Sequence, residues 1–180
     1  MKSKELLKGI AFLSSFVLWT LLIVAVDVKP IGVNGTSVGF ATLNGWFHSL
    51  TGVNMWLYHI TDWLGLVPII VCFFFGFVGL FEWIKRKSLL LVNIDILLLG
   101  VYYVIVILGY LVFEMLPINY RPILIYGYLE ASYPSSTTLL VLSVMPTVCF
   151  QANLRIKSGN FKRIIILSTI LFSIFMVVGR

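Results

Sequence analysis

The sequence predicts an all-α membrane bundle, a single domain over residues 1–180 with five spanning helices visible. Composition is the first ground: 60% of residues are hydrophobic and 11% are charged, with a mean hydropathy of +1.04. Soluble domains are roughly 45–50% apolar and about 25% charged, so this chain is read as an integral membrane protein. The second ground is that Lys and Arg fall in short clusters between long apolar runs. The net charge of +6 is therefore read as topology, and no nucleic-acid partner is expected.

The five spans are placed at about 9–26, 63–81, 88–113, 135–152 and 164–179. The first follows the basic segment Met1–Lys8. A signal peptide would have an apolar core of about 7–15 residues and a small-residue cleavage site; this run is longer and lacks the site. Residues 27–61 read as a loop rich in Gly, with Trp46, Phe47, Trp56, Tyr58 and Trp63 suited to the membrane interface. His48 and His59 lie in it. Only Asp62 stands near as a companion, so they are read as interfacial polar residues rather than metal ligands. The third span carries Asp95, placed about two turns from its cytoplasmic end, as either a functional acid or one paired to a neighbouring hydroxyl. Pro146 predicts a kink in the fourth span. Cys72 and Cys149 both sit in apolar runs and read as packing residues; no metal and no cofactor are expected.

Orientation follows from the basic residues. With the N-terminus inside, ten of the 13 lie on the inner side: Lys2, Lys4, Lys8, Lys85, Arg86, Lys87, Arg155, Lys157, Lys162 and Arg163. Lys29, Arg121 and Arg180 remain outside. The positive-inside rule thus predicts a cytoplasmic N-terminus and sets Arg121, Ser135 and Arg180 at the outer ends of their helices.

The interval Glu114–Thr138 joins an isolated Arg121 to a run of hydroxyls, Pro134-Ser135-Ser136-Thr137-Thr138, that opens the fourth span. Proline followed by Ser and Thr is a helix start. Its unpaired N–H groups and partial positive charge suit a phosphate, and an Arg fork complements the same anion. The plainer readings are that the hydroxyls cap the helix and that Arg121 anchors at lipid headgroups.

Arg121-Pro122, Pro134-Ser135-Ser136-Thr137-Thr138 and Val178-Gly179-Arg180 occur in that order. In this the chain resembles the type-2 phosphatidic acid phosphatase superfamily, whose relatives include the vanadium haloperoxidases. That family's motifs are Lys, six residues, Arg-Pro; then Pro-Ser-Gly-His; then Ser or Gly, Arg, five residues, His, three residues, Asp. The resemblance covers the whole chain in topology and about ten residues in motif. It implies six spans, an outward-facing site and metal-independent hydrolysis of a lipid phosphate or pyrophosphate. In that mechanism a phosphohistidine forms, the second-motif His acts as general acid, and Lys, both Args and the Ser hold the phosphoryl oxygens.

The carry-over is partial. Arg121, Ser135 and Arg180 match the phosphate ligands, and Ser136 stands where Gly is usual. Thr137 occupies the general-acid position and Glu114 the Lys position. The nucleophilic His and its Asp do not appear by Arg180. The expectation is an integral protein of a bacterial plasma membrane whose site faces outside and acts on or binds a lipid phosphate or pyrophosphate. Three accounts of the missing His stay open: a fragment whose sixth span carries it, a degenerate non-catalytic protein that binds lipid or a protein partner, and a chance match.

Overall fold

The computed structural model describes residues 2–32, 35–125 and 127–180. The chain is 76% helical, and five helices are long and apolar enough to cross a membrane. It forms two compact units: residues 1–53 with 116–134, and residues 54–115 with 135–180.

The first unit begins with α1 (Lys2–Ala25). At about 1.5 Å per residue its 24 residues exceed the roughly 30 Å hydrocarbon core. The chain then doubles back through a Lys29–Val38 bridge into α2 (Ala41–Thr51), a helix within what the sequence reads as loop. The return is tight. Phe40 and Ala41 donate their N–H groups to the carbonyls of Val26 and Asp27, at 3.1 and 2.9 Å. A Cβ on Gly39 would come within 1.8 Å of the Ile23 carbonyl oxygen, so only glycine fits that crossing. Phe40 takes a left-handed conformation (φ 46°, ψ 42°) that is costly for an aromatic residue, and its ring stacks on Trp19. The Asp27 carboxylate accepts from Thr42 N–H at 2.6 Å and pairs with Lys29 at 3.1 Å; with that N–H bond as the main cause, its pKa lies below the usual carboxylate value.

The short loop expected between Arg121 and Pro134 is instead an antiparallel hairpin, β1 (Asn119–Ile125) and β2 (Tyr128–Tyr133). Tyr, Ile and Leu favour strand here, and Gly127 (φ 81°) supplies the turn's left-handed residue. Asn119 ties the hairpin to the doubled-back segment by accepting from Gly39 N–H at 3.2 Å, while the Tyr133 hydroxyl meets Thr20 of α1 at 3.0 Å.

The second unit holds α3 (Met55–Leu64), α4 (Leu66–Arg86), α5 (Ile94–Met115), α6 (Ser136–Arg155) and α7 (Gly159–Gly179). The second span thus starts its helical stretch at Met55 rather than Trp63. Gly65 joins α3 to α4 in helical geometry, and Pro68 is tolerated because first-turn N–H groups have no intrahelical acceptor. The α4 helix ends at left-handed Lys87, whose N–H bonds the Trp83 carbonyl. The third span begins at Ile94, six residues later than expected: Leu89–Leu91 form a 3-10 turn, and Asn93 holds the Glu82 carboxylate through its N–H (3.0 Å) and side-chain amide (2.7 Å).

Helix α6 is the most buried of the five and packs against α4, α5 and α7. One core cluster joins Cys72, Leu99, Tyr103, Val106, Leu140 and Val144; another joins Val141, Met145 and Met176. Helix α6 continues through Pro146 without ending there. That residue has no N–H for the Leu142 carbonyl, and one residue along the Tyr102 hydroxyl donates to the Ser143 carbonyl at 3.1 Å.

Candidate anion site at the start of helix α6

Ser135 is the N-cap of α6: its hydroxyl oxygen accepts from Thr138 N–H at 3.3 Å, and its carbonyl accepts from Leu139 N–H at 2.9 Å. The capping expectation is met, and it leaves the Ser135 hydroxyl proton free to donate. Helix geometry leaves the N–H groups of Ser136 and Thr137 without intrahelical acceptors.

Arg180 follows the last turn of α7, and its guanidinium reaches the same helix start. Nη2 donates to the Thr137 hydroxyl at 2.9 Å and to Asp62 Oδ1 at 3.2 Å, and the guanidinium carbon lies 5.0 Å from the centroid of the Tyr58 ring. Two sequence motifs separated by more than 40 residues therefore meet through one hydrogen bond. The approach depends on Gly179. A Cβ there would lie 2.7 Å from Thr61 Cγ2 and 3.3 Å from Leu57 Cδ1, so the missing side chain lets α7 close on α3. Gly65 does the same opposite Thr137, where a Cβ would meet its methyl at 3.1 Å.

The guanidinium is only partly satisfied. Its side chain is 11% exposed, yet Nε and Nη1 are buried with no acceptor among the described residues. An unpaired buried donor costs about 1–3 kcal/mol, and Arg keeps its charge. An oxygen-rich anion would relieve both donors. Working against that is the local charge: Asp62 and Glu114 lie, with Arg180, within electrostatic reach of Tyr110. The formal balance of these three is one negative charge.

Tyr58 and Asp62 escaped the sequence reading as a pair. They stand four residues apart on α3, hence on one face, an aromatic ring and a carboxylate one turn apart. That spacing is the signal for a seated cation, but nothing in sequence says the cation is 118 residues away.

Arg121 belongs to the first unit, on β1, where it pairs across the hairpin with Glu130 at 3.7 Å. Glu114 is exposed in the last turn of α5. His59 packs edge-on to Tyr58 and lines an open apolar groove with Met55, Trp56, Ile60 and Trp63; His48 is exposed on α2.

Asp95 is corrected in both position and partner. It is the second residue of α5 rather than two turns in, and it pairs with Arg155 at 2.6 Å rather than with a hydroxyl. Arg155 also donates from Nε to Gln151 at 2.7 Å. An acid in the first turn of α5 and a base in the last turn of α6 each complement a helix dipole.

No protein-family model, no curated protein and no solved structure matches the chain.

Proposed function

We propose that the chain binds the phosphate or pyrophosphate headgroup of a membrane lipid, as the resemblance to the lipid phosphatase superfamily implies. Arg180, the Ser135 hydroxyl and the N–H groups of Ser136 and Thr137 are its ligands. The single observation behind this reading is the Arg180 guanidinium, anchored on Thr137 at the start of α6 with two buried donors still lacking acceptors. Arg121 is read as a second headgroup-binding cation within its own unit. The distribution of Lys and Arg supports an outward-facing site in a plasma membrane with the N-terminus inside.

Binding without hydrolysis is favoured by Thr137. It stands at the general-acid position, its hydroxyl accepts from Arg180, and a Thr hydroxyl has no pKa near neutrality. The test uses the whole chain in phosphatidylcholine nanodiscs, titrated with a short-chain lipid phosphate, its pyrophosphate and the matching uncharged alcohol. Arg180→Gln should weaken the two anions at least about tenfold, since hydrogen bonds to charged groups contribute about 1.5–3 kcal/mol and 1.4 kcal/mol is a decade. Equal affinity for the alcohol, or no loss in the variant, overturns the reading. Release of inorganic phosphate in the same samples would replace the binder with an enzyme.

A further inference from the structure

The stripe Leu43, Trp46, Phe47 and Leu50 runs along one side of α2 at helical spacing, and each of the four side chains is between 58% and 64% exposed. Ala41, the helix's buried residue, lies on the opposite side. The apolar stripe therefore faces away from the unit that holds the helix. Four large side chains in water would form a patch of the kind that marks an interaction surface.

The first unit itself indicates what covers it. The start of α2 is bonded to Val26 and Asp27, the residues that immediately follow the candidate span α1, and its cap Phe40 stacks on Trp19 within that span. The helix thus starts where α1 leaves the hydrocarbon. A stripe containing Trp and Phe at that depth matches the headgroup boundary, where amphipathic rings settle. The geometry points to α2 as an in-plane helix, its Leu43–Leu50 stripe sunk into the interfacial layer of the leaflet that α1 exits. Since α2 contains no Lys, Arg, Asp or Glu, apolar area holds it there rather than attraction to anionic lipid. Through the Gly39–Asn119 bond the same bracket sets the β1–β2 hairpin at headgroup level.

Site-directed spin labelling tests this in the full chain, in phosphatidylcholine vesicles, on a Cys72→Ala, Cys149→Ala background. Labels at Leu43→Cys, Trp46→Cys, Phe47→Cys and Leu50→Cys should be accessible to oxygen and shielded from a water-soluble nickel chelate. Labels at Gly45→Cys, His48→Cys and Ser49→Cys should show the reverse, and neither set should move on adding salt or anionic lipid. Nickel access along the stripe overturns the proposal in favour of water. Shielding from both reagents overturns it in favour of a protein cover. Should the cysteine-free background misfold, brominated phosphatidylcholine serves instead: with five tryptophans in the chain, the readout is the part of the emission that Trp46→Phe removes, whose quenching supports the immersion and whose indifference to bromine refutes it.

Discussion

Arg180 and Asp62 are unequal partners. The first side chain is 11% exposed and the second 58%, so solvent screens the pair and its worth is about 0–1 kcal/mol. Asp62 accepts from Nη2, while a phosphate bound as proposed would accept from Nε and Nη1 and meet the carboxylate's negative charge beside it. Asp62→Asn should therefore tighten lipid-phosphate binding by up to roughly fivefold, the equivalent of about 1 kcal/mol, and change stability by no more than that amount. Titration of the variant in nanodiscs checks the first, and thermal melting in detergent the second. Weaker binding would mean the carboxylate belongs to the recognition surface, contrary to the proposed role. Sequence made Arg180 legible through its place after Val178-Gly179. Its partners were not legible, because they are set by which face of α3 meets the end of α7.

At the scale of elements, Gly179 couples packing to the site, since it lets α7 approach Leu57 and Thr61. Gly179→Ala overfills that crossing, so it should cost about 1–3 kcal/mol and displace Arg180 from Thr137. Thermal melting in detergent and lipid-phosphate affinity should fall together. Gly100→Ala is the contrast: nothing lies within 4 Å of its would-be Cβ, and alanine is the better helix former, so stability should hold or rise. The long apolar helices were legible because hydropathy over some 20 residues overwhelms local ambiguity. The short elements were not. A proline within β1 and a glycine within α2 weaken the local signal for either element, and both form because tertiary bonds at Gly39 and Asn119 hold them. The late start of α5 was equally hidden, since Leu89–Leu91 is as apolar as the helix it precedes.

For the molecule as a whole, the asymmetry of Lys and Arg predicts which ends meet the cytoplasm. In intact cells a membrane-impermeant maleimide should label Ser37→Cys, exposed between α1 and α2, and should reach Lys157→Cys, exposed between α6 and α7, only after permeabilisation. The opposite pattern would invert the orientation and turn the α6 start toward the cytoplasm. A feature of the hairpin bears on how such a chain behaves among many copies of itself. A two-stranded sheet has two open edges, each able to recruit a further strand. Strand β1 breaks register with its partner on both sides of Tyr120, and Pro122 brings no N–H to its backbone. A donor row interrupted in this way denies a neighbouring strand a continuous template along β1, so any edge-to-edge pairing between copies is left to the β2 side.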